Sequence, residues 1–100
     1  MSEGKVLVVD DDRSVATVLR GNLEDAGYDV LTATTAEEGL ALLDAHPVDA
    51  VLTDLKMPGM GGAALVTEVR RRFEDVPVLV LTAFPSIESA VEVMRSGAFD

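Results

Sequence analysis

One hundred residues, 48% of them hydrophobic, make one domain with one core, so residues 1–100 are expected to form a single unit. No apolar run is long enough to span a membrane, Met1-Ser2-Glu3-Gly4 carries no signal-peptide pattern, and zero cysteines exclude disulfides and thiolate chemistry, all of which fits a cytoplasmic protein. The formal net charge of −10 argues against this domain gripping nucleic acid, because phosphate contacts require Lys and Arg.

The hydropathy pattern alternates between strand and helix. Lys5 to Asp10 reads as a strand, with Val6-Leu7-Val8-Val9 running into Asp10-Asp11-Asp12. Val15, Val18, Leu19, Leu23 and Ala26 then recur at helical spacing, and Gly27 stands where a helix stops. Tyr28 to Ala33 reads as a second strand in which Tyr28, Val30 and Thr32 alternate. Thr35 and Glu38 have capping-box spacing and open a helix through Leu40 and Leu43 that Pro47 ends. A third strand runs from Val48 to Thr53, and Asp54 stands at its end. The loop that follows is punctuated by Pro58, Gly59, Gly61 and Gly62. Leu65, Val66, Val69 and Phe73 mark a third helix, with Arg70-Arg71-Arg72 near its C-terminus, where positive charge suits the helix dipole. Pro77 to Thr82 is a fourth strand. A fourth helix starts at Pro85-Ser86, carries Ile87, Ala90, Val91 and Met94, and ends at Gly97. No repeat or linker interrupts this order, so an α/β fold with a doubly wound parallel sheet is expected.

In such sheets ligands bind at the carboxyl ends of the strands, where the strand order reverses. A flavodoxin-like winding makes the first and third strands neighbours and brings Asp10 and Asp11 beside Asp54. Carboxylates gathered this way repel, and without a cation some would hold protons. A hard, oxygen-ligated ion such as Mg²⁺ lets all of them ionise, and it keeps coordination positions for a phosphoryl oxygen. Thr82, ending the fourth strand on the same edge, offers that group a hydroxyl.

Val8-Val9-Asp10-Asp11-Asp12, the stretch from Thr53-Asp54 through Lys56-Met57-Pro58-Gly59-Met60 with Gly62, and Leu81-Thr82-Ala83 resemble the successive signatures of response-regulator receiver domains. The closing stretch from Ile87 to Asp100 is similar to receivers of the nitrogen-regulation, sigma-54-dependent class of transcription factors. The resemblance implies a regulatory phosphoacceptor rather than an enzyme. Asp54 would accept a phosphoryl group from a sensor histidine kinase, and Asp10, Asp11, Asp54 and the Lys56 carbonyl would hold Mg²⁺. Thr82 would swing toward the phosphate, pulling the loop before the fourth helix and so switching an output such as transcription.

Receivers of this type carry a Lys on a fifth strand and then a fifth helix, which this sequence does not contain. The expected sheet therefore has four strands in the order 2-1-3-4, with helices on both faces and weakened phosphorylation. The fourth strand becomes an edge and the apolar surface under the fifth helix is uncovered, which predicts self-association through that side. An output module is likewise outside the sequence. Lys56 and Phe84 flank the site, and a bulky Phe84 there would slow loss of the phosphoryl group.

Plainer readings hold for several residues. His46 before Pro47 is an exposed helix terminus, the three arginines are a solvated face, Met57 and Met60 pack over their loop, and Asp12 caps the first helix. A rival from another class takes Asp10-Asp11-Asp12 as the Asp-x-Asp of a haloacid-dehalogenase-type phosphatase, with Asp10 as nucleophile and Asp12 as general acid. It leaves Asp54 without a role. A second rival is a receiver-like module that takes no phosphate and works by dimerisation alone.

Overall fold

Residues 6–9 and 50–53 are fully buried, which is the condition of central strands covered by helices on both faces. The computed structural model describes residues 4–54, 61–81 and 86–96. Within them the strands are β1 (Lys5–Val9), β2 (Asp29–Ala33), β3 (Ala50–Thr53) and β4 (Val78–Val80). They alternate with helices α1 (Arg13–Asp25), α2 (Ala36–Ala45), α3 (Gly62–Arg72) and α4 (Ile87–Ser96). All pairings are parallel, as the alternating pattern predicted, and their order β2-β1-β3-β4 is the one expected of a flavodoxin-like winding. Lys56, Met57, Met60, Thr82, Phe84, Pro85 and Gly97 lie outside the described residues, as do the side chains of Ile87 and Met94.

Right-handed crossovers fix which face each helix covers. The chain steps one way from β1 to β2 and the other way from β2 to β3 and from β3 to β4. This puts α1 on one face and α2 and α3 on the other. Alternation along β1 serves both: Val6 and Val8 pack with Ala16, Leu19 and Leu23, while Leu7 and Val9 pack with Leu40, Leu43, Leu65 and Val69.

The helix ends follow local rules. Asp12 caps α1, its Oδ1 accepting from the Ser14 and Val15 amides at 2.9 and 3.3 Å. At the other end Gly27 has φ of 100°, its amide donates to the Glu24 carbonyl and that of Tyr28 to Leu23, both at 3.0 Å. This is the Schellman arrangement, and it needs the left-handed backbone that glycine supplies. The cap of α2 differs from the expected box in one bond. Thr35 Oγ1 accepts from the Glu38 amide at 3.1 Å, but Glu38 Oε1 accepts from the Thr34 amide at 2.8 Å instead of the amide of Thr35.

Four other expectations change. The strands are shorter than their apolar runs, since β3 begins at Ala50 and β4 ends at Val80. Val18 is 50% exposed, because the stripe of α1 centres on Ala16, Leu19 and Leu23 and Val18 is turned about 100° from Leu19. Thr32 is exposed beside buried Val30 and Ala33, so strict alternation fails on edge strand β2. The arginine run is more than a solvated face: Arg71 pairs with Glu68 at 2.9 Å, and Arg72 reaches Asp44 of α2 at 2.8 Å.

Strand β4 is an edge, as anticipated, but the apolar face beside it is covered. Helix α4 lies against α1, Ala90 is fully buried, and Val91 joins the cluster of Leu19, Leu23 and Leu79. Among the described residues Val18 is the one exposed large hydrophobic side chain. The apolar ground for self-association through this side is therefore absent among the described residues, and the edge of β4 is the ground that stays.

Candidate functional site

Sheet-type hydrogen bonding continues one step past the strands and places the acids. The Asp10 amide donates to the Ala33 carbonyl at 3.0 Å, and the Asp54 amide donates to the Val9 carbonyl at 3.2 Å. Both residues are thus fixed at the carboxyl edge by the ladder itself. A helix also steadies Asp10, whose Oδ1 accepts from the Asp12 amide at 2.9 Å. That bond sets the plane of the Asp10 carboxylate against the residue that caps α1.

The result is one cluster. Asp10, Asp11 and Asp54 each present a carboxylate oxygen, and these atoms lie within 4.8 Å of one another. Asp10 is buried, Asp54 half-buried and Asp11 exposed, so the group opens to solvent on one side. Burial pushes the Asp10 carboxyl above the ordinary Asp range; the Asp12 amide opposes this, and the charges of Asp54, Asp11 and Asp12 add to it. The group holds its proton more tightly because its anion is both poorly solvated and crowded by like charge.

The donor set fits a hard divalent cation. All three ligands are oxygens, and two ligands of an octahedral Mg²⁺ at about 2.1 Å stand roughly 3 to 4.2 Å apart. Among the described residues this is the one group of three or more His, Cys, Asp or Glu with such convergence. Lys56 and Thr82, the other expected members of the site, fall outside the described residues. His46 is exposed at the end of α2, as its position before Pro47 suggested.

The fold and the acid cluster can be compared with known proteins. Residues 6–100 match the response regulator receiver domain. The chain belongs to that family. Among curated relatives of this receiver, the DNA-binding transcriptional regulator NtrC of Salmonella typhimurium is 43% identical over 103 residues, covering 100% of the chain and 21% of that protein. The transcriptional regulatory protein ZraR of the same organism is 40% identical over 102 residues, covering 100% and 23%. The chain thus spans about a fifth of the length of these relatives. Among solved structures, the chemotaxis response regulator CheY4 of Vibrio cholerae superposes with a TM-score of 0.76 at 35% identity, covering 99% of this chain and 80% of that one. The response regulator TrrA of Thermotoga maritima, in complex with Mg²⁺-BeF, gives 0.77 at 30% identity, covering 95% and 81%. The receiver is therefore a part of two-component response regulators, and its family is regulatory.

The structure gives the second residue of the phosphatase rival a capping role. Asp12 would have to serve as general acid, but its Oδ1 is held by two amides of α1 in the role of a helix cap. One positioning residue went unread in the sequence. A Cβ at Gly39 would stand 2.9 Å from Val9 Cγ2, so the missing side chain lets α2 approach β1 directly beneath Asp10. Its signal was a glycine in mid-helix, between Glu38 and Leu40, where a packing reason is the usual explanation.

Proposed function

We propose that this receiver is a single unit, residues 1–100, in which Asp54 accepts a phosphoryl group from a sensor histidine kinase. The supporting observation is the convergence of Asp10, Asp11 and Asp54 at one strand edge, with Asp54 half-buried and Asp10 buried. An Asp54 carboxylate oxygen attacks phosphorus, the bond from phosphorus to the donor nitrogen breaks, and that nitrogen leaves with the electron pair. The product is an acyl phosphate on Asp54. Asp10 and Asp11 would hold Mg²⁺, and Asp54 and the Lys56 carbonyl would complete the protein ligands. When bound, the ion neutralises charge on the transferring group and lets the carboxylates ionise together. Asp10 is oriented for this by the Asp12 amide, and Asp54 is oriented by the ladder bond to Val9.

Thr82 takes a phosphoryl oxygen and draws the segment before α4 toward the site, which turns a local charge into a change of surface. Similarity to proteins named as transcriptional regulators supports a transcriptional output. At a net charge of −10 this domain does not itself bind DNA. No helix among the described residues is long and apolar enough to cross a membrane, in keeping with action in the cytoplasm. The test is chemical: incubate with Mg²⁺ and a small phosphodonor, trap the acyl phosphate with borohydride, and map the modified residue. Modification at Asp54, absent in Asp54→Asn, is expected. Modification at Asp10 would restore the phosphatase reading, and none at all would favour a module that takes no phosphate.

A further inference from the structure

A second concave site, which shares no lining residue with the acid cluster, lies between α1 and the β2 edge. It is a cleft of about 330 Å³ between α1, the end of β2 and the start of α2, lined by Arg13, Thr17 and Arg20 on one wall and Thr32, Thr34 and Glu38 on the other. Its size is at the lower end of small-molecule sites. Arg13, Thr17 and Arg20 are spaced i, i+4 and i+7, so they share one helix face, with the two guanidinium-bearing residues about 10 Å apart along the axis.

Two features set this wall apart. The chain has 18 acidic and 8 basic residues, yet two of its arginines line one cleft. Among the described residues Arg13 has no carboxylate partner, and Arg20 is held only by Glu24 at 3.3 Å, with both side chains about half exposed. An ion pair so exposed is worth less than about 1 kcal/mol and yields readily to a better anion. Guanidinium forks match the paired oxygens of phosphate and carboxylate. The opposite wall is not cationic. It offers the hydroxyls of Thr32 and Thr34 and the Glu38 carboxylate, and that carboxylate accepts hydrogen bonds and repels a second negative group.

We propose that this cleft binds a small phosphorylated polyol, with the phosphate against Arg13 and Arg20 and the sugar hydroxyls donating to Glu38 and bonding Thr32 and Thr34. Glu38 selects against ligands charged at both ends, and the edge position of β2 leaves the mouth open. The site shares no residue with the acid cluster, although its Ala33 accepts from the Asp10 amide and its Arg13 follows the Asp12 cap.

The experiment is an amide NMR titration of the intact chain with glucose 6-phosphate in chelator, with inorganic phosphate and glucose as comparators. Saturable shifts at Arg13, Thr17 and Thr32 to Thr34 are expected, weakened at least about tenfold in Arg13→Gln/Arg20→Gln. Both arginines are exposed, so that variant keeps its fold, which its unshifted core amides verify. Glu38→Gln should bind inorganic phosphate more tightly than the parent and lose preference for the sugar phosphate. Absence of saturable shifts, or shifts indifferent to the arginine changes, would overturn the site. Equal saturation by inorganic phosphate and glucose 6-phosphate in the parent would overturn the polyol assignment.

Discussion

Replacing Asp10 with Asn should make the metal-free protein more stable, not less. The Asn amide oxygen can keep the bond from the Asp12 amide, while the variant loses a buried negative charge no more than 4.8 Å from the nearest oxygens of Asp11 and Asp54. The gain comes first from relieving the burial of a charge and then from the pair with Asp54, since Asp11 is a chain neighbour and repels Asp10 in the unfolded chain too. At that distance two unit charges repel by about 0.9 kcal/mol with the dielectric of water and by about 3.5 kcal/mol at an effective dielectric of 20. The solvent-facing side of the cluster favours the lower part of the range, about 1 to 2 kcal/mol. For a domain of this size that raises Tm by roughly 4 to 16 °C. The sign with pH follows from the raised carboxyl of Asp10. Its contribution to stability is fully present below the unfolded Asp value and is lost as pH rises through the higher folded value, so the advantage of Asp10→Asn should be largest at neutral pH and close on acidification. Thermal melts of both proteins in chelator across this range make the measurement. Added Mg²⁺ should reverse the order, since saturation at a hundredfold excess over Kd stabilises the parent by about 2.7 kcal/mol and the variant much less. An Asp10→Asn protein that melts at or below the parent in chelator would refute the repulsion argument.

Gly39→Ala gains about 1 kcal/mol of helix propensity but drives a methyl to 2.9 Å from Val9 Cγ2, and overpacking of about 1 to 3 kcal/mol should prevail, lowering Tm and weakening Mg²⁺ binding; a second change, Val9→Ala, should restore binding, and calorimetry reads both. Asp12→Ala should cost about 1 kcal/mol through loss of the α1 cap, with Mg²⁺ affinity far less affected than in Asp11→Asn, as metal titrations of the two variants can compare. Arg72→Ala removes a bridge to Asp44 whose side chains are 33% and 56% exposed, so urea denaturation should show a loss below about 1 kcal/mol that shrinks further in high salt.

The elements and the acids at the strand ends were legible in the sequence because each rests on a short-range pattern: an apolar run, an acid at its end, and a helix period between runs; the strand order and the meeting of Asp10, Asp11 and Asp54 needed in addition the flavodoxin-like winding. Most of what escaped depends on contacts between elements. Nothing local indicates that Glu38 bonds the Thr34 amide in place of that of Thr35, since one residue either way satisfies the same spacing. The buried centre of α1 falls on Ala16 and Leu19, leaving Val18 outside, because the crossover to β2 sets the helix rotation and periodicity allows either choice. Gly39 reads as a weak helix position until Val9 is seen against it. The covering of the α1 face by α4 was hidden for the same reason, as an amphipathic stripe states that a helix is buried and not which surface buries it.

The amides of Asp10 and Asp54 are tied to Ala33 and Val9 of adjacent strands, and this has a consequence for time as well as geometry. Amides in a central ladder exchange with solvent only when the sheet opens, so these two should rank with the slowest in the molecule, beside those of Val8 and Leu52. The acids are then carried by a frame that does not rearrange on the timescale of a chemical event. Any surface that responds to a new charge there must belong to backbone outside the ladder, and hydrogen exchange can separate the two populations residue by residue.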